Sequence, residues 1–423
     1  MMAGAGRERE TVVLVFPSGN QNVRSNLRAL EREEMLAEFC TTVAWRGGRQ
    51  LLARLPRILR EHLAARVFDE IDGRRIRTFP LREIVNRIAA RTGLPYVARH
   101  EHGWASMDGV SRALDASVAR LIRRGKLRAD AVYAYEYAAM RSFEAAAAAG
   151  MRRFYELPIG YWRAGLRILG EESERNPEWA PTLELLKDSA GKQAWKDREL
   201  VLAEHVIVPS DFVAETLREH PGFSATVDVV PYGAPVPRPS VVRDRPEKLR
   251  LLFVGHLSQR KGISYLFAAM RALEGVATLT LVGPRVGGDC PALSAELARH
   301  RWLGTVPHRR VLEIMAEHDV FVFPSLFEGL AQVLLEAMAQ GLPAITTRNS
   351  GGAMVVEEGE NGFLVPIRDP QAIAERVALL ARRRELLESM SVAALRKAAC
   401  MSWRAREEVF IDLLRRRLAA SCR

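Results

Sequence analysis

FVFPSLFEGLAQVLLEAMAQGLPAITTRNSGG, residues 321–352, decides how this chain is read. Phe321, Val322 and Phe323 form a short apolar run closed by a Pro-Ser turn, the mark of a buried strand. An apolar helix is expected over 330–340, stopped by Gly341 and Pro343, with a second short strand over 344–347. Two glutamates are badly placed for mere packing. Glu328 falls in the loop at the strand's carboxyl end, and Glu336 falls inside a helix whose other residues are nearly all apolar. Carboxylates are rarely buried unless something hydrogen-bonds to them.

The geometry of a strand-loop-helix unit indicates the partner. Ligands of open α/β sheets bind in the crevice beyond the carboxyl ends of the strands. Free amides over 329–332 would turn the positive end of the helix dipole into that crevice, which suits a phosphate. Glycine at 329 permits close backbone approach. An anion site flanked by two carboxylates that accept from hydroxyls describes a sugar nucleotide.

The run PSLFEGLAQVLLEAMAQGLPAI resembles the two-glutamate signature of the retaining glycosyltransferases of family 4, in which seven residues separate the glutamates, as they separate Glu328 and Glu336. The resemblance extends upstream to LLFVGHLSQRKGISYLFAAM (251–270) and downstream to GGAMVVEEGENGFLVPIRDP (351–370). It covers the C-terminal half and, more loosely, the N-terminal half. It implies an α/β protein of GT-B fold, two doubly wound Rossmann-like domains facing each other across a cleft. The expected division is an acceptor-binding domain over 1–240 and a donor-binding domain over 241–423, with a helix over 402–418 able to cross back onto the first domain. The implied activity is retaining transfer of a sugar from a nucleoside diphosphate sugar to an acceptor hydroxyl, in polysaccharide or glycoconjugate synthesis. The implied partners are the nucleotide sugar and a saccharide or lipid-linked acceptor, with no nucleic acid, no metal and no further cofactor.

Length and composition agree. A chain of 423 residues exceeds one ordinary core and calls for two domains. A 48% hydrophobic and 27% charged composition is that of a globular protein rather than a disordered one. The longest apolar runs, such as 11–16, are too short to span a bilayer or to form a signal segment. Cys40, Cys290, Cys400 and Cys422 lack metal-ligand spacing and read as reduced thiols, so a cytoplasmic location is expected.

The net charge of +11 comes mostly from arginine spread along the chain. Its sharpest local form is RGGRQLLARLPRILREHLAARV, residues 46–67, where Leu51, Leu52, Leu55, Ile58, Leu59 and Leu63 share a helical face. Two readings stay open: a helix packed on its own sheet, which is favoured, and a peripheral contact with the inner membrane face. Strands alternate with helices throughout, expected at 11–16, 131–135, 153–156, 205–209 and 226–230. After a Pro-rich linker over 236–248 they recur near 249–254, 277–282, 301–304, 319–323 and 344–347. The first helix is expected to run to about Glu38.

Glycosyl transfer demands stabilisation of the charge that builds on the leaving phosphate. By resemblance, Lys261 would contact the diphosphate with Arg260 as a second cation, although a solvated loop pair is the plainer alternative. His256, after Gly255, stands where the family often has arginine. Glu336 would hold the ribose hydroxyls, Glu328 would lie near the transferred sugar, and the amides of Leu330, Ala331 and Gln332 would touch the diphosphate. Gly283 and Gly304 would frame the base, while Asp319, Pro324, Ser325, Gly351 and Gly352 read as supports.

The N-terminal half is less explicit. Gly19 and Asn20 form a loop that meets the donor phosphate, meets the acceptor, or is a plain tight turn. Glu156 stands where the family has a histidine near the reacting centre, and a carboxylate there could take the acceptor proton. Glu136, His100 and His102 are weaker candidates. Two rivals remain: a non-catalytic nucleotide-sugar-binding subunit, and an NAD-dependent oxidoreductase, which the lack of G-x-G-x-x-G after Phe16 or Val254 disfavours.

Overall fold

The computed structural model describes residues 10–54, 60, 63–92, 95–240 and 247–420. Two parallel sheets organise them. The first has seven strands: β1 (Val12–Val15), β2 (Leu36–Thr41), β3 (Ile76–Thr78), β4 (Ala131–Tyr135), β5 (Arg152–Glu156), β6 (His205–Val208) and β7 (Thr226–Val229). They lie in the order β3-β2-β1-β4-β5-β6-β7. The second has six: β8 (Leu249–Val254), β9 (Ala277–Val282), β10 (Arg301–Trp302), β11 (Val320–Phe323), β12 (Ala344–Thr347) and β13 (Gly362–Val365), in the order β10-β9-β8-β11-β12-β13. The central strands are buried on both faces, so they appear in the sequence as continuous apolar runs rather than as alternation.

Eight helices bear on the site and its supports: α1 (Gln21–Arg32), α2 (Trp162–Arg175), α3 (Asp211–Thr216), α4 (Ile263–Ala272), α5 (Pro291–Leu297), α6 (His308–Ala316), α7 (Gln332–Ala339) and α8 (Trp403–Ala419). The first helix ends six residues short of the expected Glu38. Glu34 takes a left-handed turn (φ 57°), and Leu36, Phe39 and Cys40 bury themselves in β2 instead. Tertiary burial overrides a helix-favouring EEMLAE stretch there.

The chain's last helix, α8, packs on the first sheet's side of the molecule. Phe410, Ile411, Leu413, Leu414 and Leu418 join Val23, Leu27, Tyr133 and Phe154 in one core. Its entry lies beside the exit from the first sheet: the Ala234 N–H donates to the Met401 carbonyl (2.6 Å), and Ala234 bridges Ser402. Two segments of chain thus cross between the domains side by side.

Part of the amphipathic stretch, residues 55–59 and 61–62, lies outside the described residues. In the part described, Leu52 is buried, Leu51 is exposed, and Arg66 is buried against Glu83 (2.5 Å). Among the described residues no helix is long and apolar enough to cross a membrane.

Candidate active site

The strand order of the second sheet reverses between β8 and β11, and the crevice at such a switch point is where open α/β sheets bind ligands. The loops leaving these two strands meet. After β8, a short 3-10 turn over Gln259–Lys261 presents two cations. After β11, the loop presents Glu328. Arg260 Nη1 donates to Glu328 Oε1 at 2.6 Å and to the Phe327 carbonyl at 2.9 Å, and Lys261 Nζ pairs with the same carboxylate oxygen. Lys261 also sits over the Phe323 ring, 4.9 Å from its centroid.

Burial sets the electrostatics. Loss of solvent would raise the Glu328 carboxyl, but the charges of Lys261 and Arg260 outweigh it and hold the carboxyl below its ordinary range. Burial pushes the Lys261 ammonium down to about 8 against the pull of Glu328, with Arg260 adding to the fall. His256 is exposed at the same loop, and desolvation, then Lys261 and Arg260, lower its pKa, so it adds no charge at neutral pH. Around pH 8 the free protein therefore begins to lose the Lys261 proton. Affinity for a nucleoside diphosphate is expected to fall as pH rises through that value. Folding stability should move oppositely, because between about 8 and 10.5 the unfolded chain binds the proton that the folded chain has lost. Titration calorimetry and denaturation across that window test both signs.

Helix α7 starts just beyond Glu328. No side chain caps it, so the positive end of its dipole is left for another partner. One expected donor is already engaged: the Ala331 N–H donates to the Ser350 carbonyl (3.0 Å). Leu330 is buried and Gln332 is half-buried. Glu336 lies on this helix, part-exposed, with His308 Nε2 of α6 at 3.0 Å from Oε1. Sequence reasoning misses His308, since it begins a helix remote in sequence with no local signal.

The glycines have different tasks. Gly255 (φ 150°) and Gly283 (φ 134°) bring the loops after β8 and β9 together, and a Cβ on Gly283 would strike the Gly255 carbonyl. The close approach at Gly329 is to the other domain, because a Cβ there would strike the Pro158 carbonyl oxygen. The Gly329 carbonyl accepts from Ser210 Oγ (2.7 Å), and the Gly160 N–H donates to the Glu328 carbonyl (3.3 Å). Gly19 packs against Phe68, and Asn20 caps α1 by accepting from the Val23 N–H (2.9 Å). Gly304 has φ 65°, and its carbonyl accepts from the Gly283 N–H (2.8 Å). Of the expected supports, Asp319 pairs with Arg250 (2.9 Å), and Ser325 Oγ donates to the Arg260 carbonyl (3.1 Å). Gly351 packs on Leu330, and Gly352 packs on Thr346. Gly262, following Lys261, lies against Pro324.

The first domain also grips the cationic loop. Gln259 Nε2 donates to Glu172 of α2 (2.6 Å), and the Gln259 N–H donates to Thr182 Oγ1 (2.9 Å). Glu172 is fully buried and also holds Arg368 (2.8 Å). Phe327 inserts beside Gly160 and Gly165 and meets Phe212 of α3 edge-on (5.9 Å).

Glu156 is not gathered with these groups. At the end of β5 it is 2% exposed, accepting from Tyr133 Oη (2.5 Å), Asn26 Nδ2 (3.3 Å) and Asn22 Nδ2. Burial raises its pKa despite the charge of Arg406 from α8, which donates to Asn26 Oδ1 (2.6 Å). Glu136 pairs with Lys196 (3.4 Å). His100 and His102 are both exposed. His100, Glu101 and Asp188 have ligand atoms within 4.8 Å of one another, but Lys192 Nζ is 2.9 Å from Asp188 and already supplies a cation there.

Solved structures share this architecture from end to end. Sucrose-phosphate synthase from Thermosynechococcus elongatus superposes with a TM-score of 0.66 at 16% identity, covering 98% of this chain and 100% of that one. Anabaena HepE in complex with UDP and glucose superposes with a TM-score of 0.59 at 17% identity, covering 96% and 99%. The protein has the GT-B fold. Residues 248–383 match the family described as glycosyl transferases group 1, to which the chain is related. A D-inositol 3-phosphate glycosyltransferase from Corynebacterium jeikeium is 30% identical over 240 residues, 50% of this chain and 57% of that protein. The amylovoran biosynthesis glycosyltransferase AmsK of Erwinia amylovora is 32% identical over 144 residues, 30% of this chain and 35% of that protein. The aligned stretch thus spans less than two thirds of either relative's own length.

Proposed function

We propose that the protein transfers a sugar from a nucleoside diphosphate sugar to an acceptor hydroxyl, with retention at the anomeric carbon. The observation that carries this reading is the meeting of Lys261, Arg260 and Glu328 at the β8/β11 switch point, beside the uncapped start of α7. The anomeric carbon–oxygen bond to the diphosphate breaks, and charge develops on the leaving phosphate oxygen. Lys261, Arg260 and the α7 dipole stabilise that charge as fixed positive groups, the part a divalent ion plays elsewhere. The acceptor oxygen attacks from the side the diphosphate leaves, and its proton passes to the departing phosphate. Glu328, released from its cations when the phosphates arrive, is free to accept from hydroxyls of the transferred sugar. Glu336 accepts from the ribose. The acceptor binds on the first domain's side of the cleft and belongs to the saccharide class. AmsK's part in amylovoran biosynthesis favours a growing polysaccharide, and HepE's UDP favours a uridine nucleotide as the first donor to test.

A panel of UDP, GDP, ADP and TDP sugars, read by thermal shift with and without magnesium, tests the donor site. One nucleotide should stabilise the protein, and Glu336→Ala should weaken its binding by about 10- to 150-fold, the value of a charge-assisted hydrogen bond. No shift with any of them would count decisively against the donor site. The enclosure of Glu156, where the family's histidine is expected, favours one second reading: a nucleotide-sugar-binding subunit without activity of its own. Sugar transfer or donor hydrolysis by the purified chain separates the two.

A further inference from the structure

The second sheet has another opening at its opposite edge. A cavity of about 910 Å³ lies at the amino ends of β8 and β9, bounded by the end of α4 and the end of α5. That volume is in the range of small-molecule sites. It exists because β10 is only two residues long and α5 only seven, so neither reaches far enough to cover the start of β9.

Arg250 of β8 pairs with Thr278 of β9, and Thr280 of β9 pairs with Arg301 of β10. In a parallel register with a two-residue repeat, all four side chains emerge on one face. Arg250 and Arg271 are already balanced, by Asp319 (2.9 Å) and by Glu296 (2.7 Å). Lys248, Arg299 and Arg301 also line the cavity, are exposed, and have no carboxylate partner among the described residues. His300 stacks on Phe267 (5.4 Å), and burial lowers its pKa, as it does that of His318 at the same rim. Of the other lining carboxylates, Glu317 is engaged by Arg310 (2.9 Å) and Glu274 is exposed, so among the described residues three long cations face one free carboxylate and the cavity keeps a net positive charge. Glu296 supplies the complementary feature. It is 7% exposed, lines the cavity, and its Oε2 is buried with no hydrogen-bond partner. His300 Nε2 lies 3.9 Å from that oxygen, beyond hydrogen-bond reach. An acceptor left so is destabilising unless a donor arrives.

We infer that this cavity binds a small hydroxylated polyanion of the sugar-phosphate class, at a site separate from the donor crevice. The phosphate is held by Lys248, Arg299 and Arg301. The Glu296 carboxylate turns its unpartnered oxygen to the cavity and accepts from a sugar hydroxyl, and Thr278 takes a neighbouring hydroxyl. The six residues of β8 put about 17 Å of strand between this pocket and the loop of Lys261, so one ligand cannot span both.

Calorimetry on the full chain with glucose 6-phosphate as probe tests this, with inorganic phosphate and glucose as separate arms. Saturable one-to-one binding is expected, tighter than for inorganic phosphate. It should weaken at least about tenfold in the doubly substituted Arg299→Ala/Arg301→Ala protein. Both side chains are exposed, so that variant should keep its melting temperature. Glu296→Gln should narrow the preference for glucose 6-phosphate over phosphate, and Lys261→Ala should leave binding intact. The inference is overturned by absence of binding, by unchanged affinity in the arginine variant, by equal affinity for inorganic phosphate, or by loss of binding in Lys261→Ala, which would move the ligand to the donor crevice.

Discussion

Replacing Lys261 by alanine is expected to lower kcat by about 100- to 1,000-fold, the usual loss when one preorganised group facing a developing oxyanion is removed. The expectation rests on placement. Lys261 is held by its backbone turn, by the Phe323 ring and by Glu328 before any ligand arrives, so little reorganisation remains for the reaction itself. Arg260 survives in the variant, tied to the Phe327 carbonyl, and keeps part of the donor affinity. The loss should therefore fall on kcat more than on KM. Lys261→Arg should recover only part of it, since a planar guanidinium cannot reproduce the compact point charge held over the Phe323 ring. Initial rates with the donor identified by thermal shift decide the matter. An unchanged kcat in Lys261→Ala would remove the lysine from the mechanism.

Phe410→Ala should destabilise the protein by about 3–5 kcal/mol, the cost of truncating a fully buried phenylalanine. Phe410 belongs to the last helix but packs in the first domain, edge-on to Tyr133 at 5.4 Å and beneath the Arg406 guanidinium at 5.4 Å. The loss should therefore be local. Hydrogen exchange should quicken in α1 and β4, whose residues share that core, and remain slow in β8 and β9. Uniform acceleration across both sheets would contradict a role confined to the first domain's core.

Much of the fold is legible in the sequence because its signals are local. The run 321–323, the turn and the apolar helix occupy one continuous stretch, and periodicity alone marks them. β2 is hidden because residues 33–38 carry helix-forming side chains, and only Phe39 and Cys40 tip them into the sheet. Residue identities point to Glu328, Lys261 and Arg260, yet no spacing rule could reveal that one carboxylate oxygen serves both cations across more than sixty residues. The same holds for His308 beside Glu336, and for Arg406 beside Glu156, separated by 250 residues with the whole second sheet between them in the chain. The Ala331 amide shows the opposite limit. A helix start advertises free donors, but a carbonyl arriving from Ser350 can claim one of them.

The position of α8 governs how the molecule can be made. The first sheet is complete in the chain once β7 has emerged, but the helix that roofs Val23, Leu27, Tyr133 and Phe154 comes only after the whole second sheet. Roughly 180 residues separate the two, so at ribosomal speeds the nascent first domain waits about 10 to 40 seconds with that apolar face open to water. Until then it is a sticky intermediate. A chain stopped before residue 403 would carry an intact second sheet and an unfinished first one, so the amino-terminal half would be the last to mature.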